Sequence, residues 1–105
     1  MELVVYWTDF SIKELKNIFD YYKENASLNV AKTLVIGITN EAAKLKKQPI
    51  IGQEEELLEK DSNDFRYLVY KNYKIIYLVN LEENRIEVFD VFDTRQNPLK
   101  IKRGK

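Results

Sequence analysis

The sequence predicts an α+β domain in which an N-terminal strand and a helical hairpin precede an antiparallel β-meander that completes one sheet. Apolar residues recur at helical spacing from Ile12 to Leu45, whereas apolar and polar residues alternate after Phe65. The alternating runs are joined by only two and four residues, and connections so short favour antiparallel neighbours. A chain of 105 residues has room for one core, so we expect residues 1–105 to form a single domain.

The first helix is predicted to follow directly from a short strand. The run ELVVYW, residues 2–7, is β-branched and aromatic, which is typical of a strand. Thr8 can cap the helix that follows, and the segment SIKE, which begins at Ser11, has the spacing of a capping box. We expect this helix to end near Glu24. Its apolar stripe consists of Ile12, Leu15, Ile18, Phe19 and Tyr22.

A second helix is predicted after the turn NASLN, residues 25–29. Its apolar positions are Ala31, Leu34, Val35, Ile38, Ala42 and Leu45. Lysines near its C-terminal end suit the helix dipole, and Pro49 prevents its continuation. Gly37 lies inside this helix at a cost of about 1 kcal/mol relative to alanine, and we expect close packing on the first helix to explain it.

Three strands are predicted in the second half of the chain, at residues 65–70, 73–80 and 85–92. On the middle strand, strict alternation directs Ile76 and Leu78 to one face and Tyr73, Ile75, Tyr77 and Val79 to the other. On the last strand, it directs Ile86, Val88 and Phe92 to one face and Phe89 and Val91 to the other. Both faces are apolar and one hairpin covers only one of them, so the second face requires the C-terminal tail, a second copy or a protein partner.

Composition excludes several classes of function. The chain has no cysteine and no histidine, which removes disulfides, thiol catalysis, zinc sites of the usual kind and Ser-His-Asp hydrolysis. It has no glycine-rich phosphate loop, and the run Glu54–Glu56 directs successive carboxylates to different sides, so we expect neither a cofactor nor a metal. No apolar run could span a bilayer and no signal peptide is evident, so we expect a cytoplasmic protein.

Charge is balanced overall but unevenly distributed. The chain has 17 basic and 17 acidic residues. Residues 53–64 contain six acidic residues and one basic residue, whereas residues 66–105 contain nine basic and five acidic residues. Such an imbalance can direct a polyanion to one face of the molecule, although a solvated acidic loop beside a slightly basic sheet explains it equally well.

Three cations near the meander are candidates for binding a phosphate. Arg66 and Lys74 are each the second residue of a predicted strand, and Arg95 follows the last strand. Side chains on adjacent strands can approach within about 5–8 Å, where these cations would hold a phosphate through charge-assisted hydrogen bonds. The alternative, which composition favours, is that the arginines pair with aspartates and serve only strand register. Those aspartates are Asp64, Asp90 and Asp93.

Taken in order, these segments resemble the toxins of type II toxin–antitoxin systems in the RelE/ParE superfamily, also called plasmid-stabilisation proteins. YWTDFSIKELKNIFDYYKEN is similar to the family's entry into its first helix. AKTLVIGITNEAAKLKKQPIIG is similar to its second helix, with the spacing of Leu45, Pro49 and Gly52. FRYLVYKNYKIIYLV and IEVFDVFDTRQNP are similar to its later strands and charged exit, so the resemblance covers nearly the whole chain.

The resemblance implies a bacterial growth inhibitor that a cognate antitoxin holds inactive, typically by laying a helix or strand across the toxin. One branch of the superfamily acts with the ribosome as an endoribonuclease, or mRNA interferase, that cleaves mRNA in the A site. The other branch, ParE itself, poisons DNA gyrase and needs no catalytic side chain. An inactive relative that only binds protein is a third alternative. The neutral net charge disfavours strong independent RNA binding.

If the chain cleaves mRNA, the resemblance implies that Arg66, Lys74 and Arg95 stabilise the phosphate and the transition state. Asp93 stands about where some mRNA-cleaving relatives have a histidine, and it completes the set of candidate catalytic residues. An aspartate is a weak base and a poor acid at neutral pH, so this departure disfavours acid–base catalysis. We take ribosome-dependent mRNA cleavage as the first hypothesis and gyrase inhibition as the second, which the long helical hairpin favours.

Overall fold

A computed structural model describes residues 2–54 and 65–96 of the chain. Its elements are β1 (Val4–Trp7), α1 (Asp9–Asn25), α2 (Leu28–Ala43), a 3₁₀ turn (Lys44–Lys46), β2 (Gln53–Glu54), β3 (Arg66–Tyr70), β4 (Tyr73–Asn80) and β5 (Arg85–Asp93). The predicted α+β architecture is confirmed, and the two-residue strand β2 is an addition. The rest of the acidic run and the C-terminal tail lie outside the described residues.

In the described part of the chain, five strands form one sheet in the order β1-β5-β4-β3-β2. The pairs β3–β4 and β4–β5 are antiparallel, as the short connections predict. β1 instead runs parallel to β5, with Val5 opposite Ile86, so the sheet is mixed. A parallel pair needs a long crossover, and residues 8–84 supply it here. The last described strand therefore lies inside the sheet, between the first strand and β4.

Both helices begin at the residues whose side chains can cap them. The hydroxyl of Thr8 accepts a hydrogen bond from the Ser11 N–H at 3.2 Å, which confirms the predicted cap. The same hydroxyl donates to the Val88 carbonyl at 3.1 Å, so the cap also fastens α1 to β5. The hydroxyl of Ser27 accepts from the Val30 N–H at 3.1 Å. That cap starts α2 three residues before its first buried apolar residue, Ala31.

The helices cover one face of the sheet and form the main core with it. The buried residues at the centre of this core are Leu34, Ile38 and Leu45 from the second helix and its 3₁₀ turn, with Ile75, Tyr77, Ile86, Val88 and Val91 from the sheet. Each such side chain contributes roughly 1.5–3 kcal/mol by leaving water. Neither helix in the described segments is long and apolar enough to cross a membrane.

A β-bulge in β5 changes which residues face the helices. Ile76 pairs with Asp90 while Tyr77 pairs with Val88, so Phe89 is an extra residue in β5. Beyond it, Val91 joins Val88 in the main core, and Phe92 lies on the opposite face with Phe89. The predicted grouping of Phe92 with Val88 is therefore wrong, because strict alternation assumes that no residue is inserted.

The opposite face of the sheet carries a second apolar cluster, as the sequence predicts. Phe65, Ile76 and Phe92 are buried in it, and Phe89 packs edge-to-face on Phe65 with ring centroids 5.3 Å apart. Aromatic pairs in this geometry contribute about 0.5–1.5 kcal/mol beyond the area that they bury. The C-terminal tail is one of the three predicted covers for this face, and it lies outside the described residues.

Gly37 allows α2 to pack closely on β3 rather than on α1. A Cβ atom at this position would overlap the hydroxyl and the ring of Tyr70. The expectation that α1 explains this glycine is therefore wrong. The neighbour that requires it belongs to the sheet, which the spacing within α2 does not reveal.

The phenol of Tyr77 fixes the chain that leaves α2. Its ring is fully buried, and its hydroxyl donates to the Pro49 carbonyl at 2.9 Å and accepts from the Gly52 N–H at 3.0 Å. A Cβ at Gly52 would lie 2.5 Å from that hydroxyl and 2.7 Å from the Tyr67 carbonyl oxygen. The spacing of proline and glycine in this segment thus accommodates one buried tyrosine.

Replacing Tyr77 by phenylalanine should lower the free energy of unfolding by about 1–3 kcal/mol, because the Pro49 carbonyl and the Gly52 N–H both lose their partner. Urea denaturation monitored by circular dichroism measures the change. Tyr67→Phe is the matched control, since its hydroxyl bonds Gln53 at an exposed site. Equal costs for the two substitutions would contradict the anchoring role of Tyr77.

Substituting Gly37→Ala should destabilise the protein by about 1–3 kcal/mol through overlap with Tyr70, although alanine is the better helix former. Combining it with Tyr70→Phe removes the nearest atom and should recover part of the loss, which a double-mutant cycle of urea denaturation measures. Asn40→Ala, at an exposed position of α2, is the control and should be neutral or slightly stabilising. A stabilised Gly37→Ala variant would refute the packing explanation.

Candidate functional site

Arg66 opens β3 on the helix-covered side of the sheet, opposite Tyr77. Its Nη1 donates to the Gly52 carbonyl at 2.9 Å, next to the anchor formed by the Tyr77 hydroxyl. Burial raises the pKa of Tyr77, and the Gly52 N–H and the Arg66 charge oppose that rise. Arg66 thus helps to fix the chain between α2 and β2. Asp64, one of its expected partners, lies outside the described residues.

Lys74 lies on the other face of the sheet. It pairs with Val69 on β3 and with Phe92 on β5. Its Nζ lies 4.2 Å from the centroid of the Tyr67 ring, which is a cation–π contact. Lys74 therefore belongs to the surface around the second apolar cluster.

Arg95 folds back on Asp93 at the exit of β5. The guanidinium meets the carboxylate through Nε at 3.0 Å from Oδ1 and Nη2 at 2.8 Å from Oδ2. The Arg95 N–H and the Asn72 side-chain amide also donate to Oδ1, at 2.9 and 3.1 Å. Arg95 is thus paired with an aspartate, which is the alternative to phosphate binding that composition favours.

The structure does not bring the three candidate cations together. Arg66 and Lys74 are each near the start of their strands, but antiparallel strands start at opposite ends of the sheet, and the two residues fall on opposite faces. Arg66 is paired with Tyr77 and Asp93 with Tyr73, and the four residue-to-residue steps from Tyr73 to Tyr77 span roughly 13 Å of strand. The expected convergence on one phosphate is therefore wrong.

Asp93 is held in its charged form. Hydrogen bonds from the Arg95 side chain are the main cause that lowers its pKa to about 2. Asp93 raises the pKa of Arg95 in return, and a hydrogen bond between Arg95 and Tyr22 adds to that effect. Burial, followed by a hydrogen bond with Tyr22, raises the pKa of Tyr73. The exit of β5, α1 and the start of β4 thus meet in one polar network.

Tyr22 lines two open clefts at the end of the molecule where α1, the exit of β5 and the start of β4 meet. The α2 cleft has a volume of about 490 Å³. Its polar lining consists of Tyr22, Ser27, Asn29, Thr33, Lys71 and Asn72. The β5 cleft has a volume of about 430 Å³. Its polar lining consists of Glu14, Asn17, Tyr21, Tyr22, Tyr73, Asp93, Arg95 and Gln96.

Helical spacing predicts Tyr22 as part of the core stripe of α1, and the sequence predicts Asn72 only as part of a turn. The signal that could have drawn attention to Tyr22 is its neighbour Tyr21. Successive residues on a helix point about 100° apart, so two adjacent tyrosines cannot both face the core. Within the described residues, no three acidic side chains gather into a group that could hold a metal ion.

Known proteins resemble this chain in sequence pattern and in fold. The family model of the ParE toxin of the type II toxin–antitoxin system parDE matches residues 5–98. The fold is similar to that of a solved chain from the chromosomal ParDE TA system of P. aeruginosa, with a TM-score of 0.72 at 16% identity. That similarity covers 88% of this chain and 96% of the other. No curated protein sequence matches the chain significantly.

The depressed pKa of Asp93 predicts how stability changes in acid. Its pKa is lower in the folded state, so its contribution is fully present above about pH 4 and is lost as the pH falls through about 2. We expect the stability difference between wild type and Asp93→Asn to shrink over that range in urea denaturation at stepwise lower pH. Asp20→Asn, at an exposed ion pair with Lys16, is the control. A difference that stays constant down to about pH 2 would contradict the Arg95 pairing.

Proposed function

The chain belongs to the ParE toxin family of type II toxin–antitoxin systems, and from that premise we propose that it arrests growth by binding and poisoning DNA gyrase rather than by cutting RNA. Membership of such a system implies a cognate antitoxin as its neutralising partner. The observation that carries the proposal is the separation of the candidate cations: Arg66 and Lys74 lie on opposite faces of the sheet. A gyrase poison needs a binding surface, and it does not need these side chains to converge.

The state of Asp93 supports the same proposal. Cleavage by the 2′-hydroxyl benefits from a group that takes up one proton and delivers another to the leaving oxygen, and such help is worth roughly 10²–10⁴ in rate. With a pKa of about 2 and a bidentate Arg95 partner, Asp93 carries no proton to deliver at neutral pH. The charge of Arg95 is balanced by the same contact, which weakens it as a stabiliser of a dianionic transition state.

Ribosome-dependent mRNA cleavage is the second candidate, with Arg66, Lys74, Arg95 and Asp93 as its proposed catalytic residues. One observation favours it. The Arg95 side chain is 62% exposed at the rim of the β5 cleft, beside tyrosines that could stack on a base. In this alternative the ribosome would supply the missing groups and the affinity for RNA.

Purified protein added to DNA gyrase should inhibit supercoiling and accumulate cleaved DNA complexes, and it should leave mRNA intact in a translation extract. Supercoiling gels and primer extension of mRNA 5′ ends make the two measurements on the same preparation. Ribosome-dependent cuts at A-site codons with normal supercoiling would overturn the gyrase proposal.

If such cuts appear, Lys74→Ala and Arg95→Ala decide whether the proposed residues are responsible. Each should slow cleavage at least about tenfold, because a charge-assisted contact to the phosphate would be lost. Lys13→Ala, at an exposed position on α1, is the matched control. Cleavage at the wild-type rate in both test variants would remove these cations from the mechanism.

A further inference from the structure

We propose that β1 pairs with β1 of a second copy of this chain, so that the two sheets join across a twofold axis into one continuous sheet. The pairing is antiparallel and centres on Tyr6. It goes beyond the proposed function, because it depends on the edge of the sheet and on no property of gyrase or of an antitoxin. A closed pair of this kind uses the same surface on both copies.

β1 is an edge of the sheet that the described residues leave open. It is the first strand in the order β1-β5-β4-β3-β2, so within the described chain it pairs only with β5. The Val4 N–H donates to the Asn84 carbonyl at 3.2 Å, toward β5. Because backbone groups alternate in direction along a strand, the N–H and C=O groups of Val5 and Trp7 point away from β5. These outward groups have no strand to pair with in the described part of the chain.

β1 lacks the side chains and irregularities by which proteins keep an edge strand from pairing. Charged residues, proline and bulges are the usual protections. The segment from Leu3 to Thr8 contains no charged residue and no proline, and its register with β5 is regular. The opposite edge of the described sheet is β2, which has only two residues and ends in Glu54. The edge suited to pairing is therefore β1, and its length of four residues limits the strength of the pairing.

Hydrogen bonding selects the register. If the axis passed through Val5, Leu3 would have to exchange hydrogen bonds with Trp7 of the other copy. The Leu3 N–H is already bonded to the Lys46 carbonyl at 3.0 Å, so that register leaves bonds unmade. With the axis at Tyr6, Val5 of each copy exchanges both backbone hydrogen bonds with Trp7 of the other. The two Tyr6 side chains then lie directly opposite each other, in the closer kind of antiparallel pair.

The exposed side chains of β1 suit burial against a second copy. Val4 and Tyr6 lie on the face away from the helices and are 63% and 43% exposed. The Arg85 guanidinium lies 4.3 Å from the centroid of the Tyr6 ring, and its Nε donates to the Glu87 carboxylate at 2.7 Å. The arginine holds the ring in place while Glu87 balances its charge. Covering Tyr6 therefore costs little rotamer freedom and brings no unbalanced charge into the contact.

Charge favours the antiparallel direction. Glu2, Lys46 and Lys47 are exposed at the start of β1, and their side-chain charges sum to one positive charge. Asp9 is exposed directly after the end of β1. Antiparallel pairing brings the positive end of each edge to the negative end of the other, whereas parallel pairing would place like charges together. The edge is thus complementary to itself.

Sedimentation equilibrium of the purified full chain tests the pairing. Wild type should shift from monomer to dimer as its concentration rises through the micromolar range, because an interface made by one short strand is weak. Tyr6→Lys and Tyr6→Glu should each raise the dimer Kd at least about tenfold, since like charges then lie directly opposite on the axis. An equimolar mixture of the two variants should regain the dimer, because opposite charges then meet.

Val5→Pro is a second test variant, because it removes an outward N–H and keeps the pairing of β1 with β5. It should also raise the dimer Kd at least about tenfold. Ile36→Lys is the matched control and should leave the dimer Kd unchanged. Its side chain is 56% exposed on α2, the helix whose Gly37 packs on Tyr70 of β3. Circular dichroism of each variant shows that a weakened dimer does not come from unfolding.

A wild-type chain that stays monomeric at about 500 µM would overturn the inference. So would a dimer that Tyr6→Lys and Val5→Pro leave unchanged, because the contact would then lie elsewhere. A monomeric wild type that binds the purified product of the adjacent open reading frame, with binding lost in Val5→Pro, would assign the edge to a strand of that protein and refute self-pairing.

Discussion

The extra residue in β5, Phe89, determines which face of the sheet each later side chain of that strand occupies. Without the bulge at Phe89, every later side chain of that strand would change faces, and Val91 would leave the main core. Asp93 would then point away from α1, and Arg95 would not meet Tyr22. The polar network at the exit of β5, and both clefts beside Tyr22, therefore depend on one inserted residue in a strand that otherwise alternates regularly.

Much of the fold can be predicted from the sequence because short stretches of residues determine where its helices and strands begin and end. The cap at Thr8, the helical stripes and the short turns of the meander lie within a few residues of the elements that they define. The face assignment of Phe92 and the role of Gly37 could not be predicted in the same way. The first depends on an insertion that alternation does not show, and the second depends on Tyr70, more than thirty positions later in the chain.

The candidate site was harder to predict than the fold, and for a related reason. A motif gives distance along the chain, whereas chemistry depends on distance in space. Arg66 and Lys74 occupy equivalent places in their strands, yet the antiparallel pairing separates them onto opposite faces. Asp93 is one of three aspartates that the sequence offers as partners for the arginines, and it pairs with Arg95, from which only one residue separates it. The family match identifies the chain as a ParE toxin. The separation of the candidate cations supports the proposal about its mechanism.

The parallel pairing of β1 with β5 also has a consequence for how the protein is made. The Thr8 hydroxyl finds its carbonyl partner 80 residues later in the sequence, and β5 fills the place between β1 and β4. Non-local contacts of this kind form slowly, because a long loop must close before any of them is gained. During synthesis, β1 and the helices have no complete sheet to pack on until β5 has been translated. A growing chain thus cannot complete the surface that the sheet and the helices share until β5 has been synthesised.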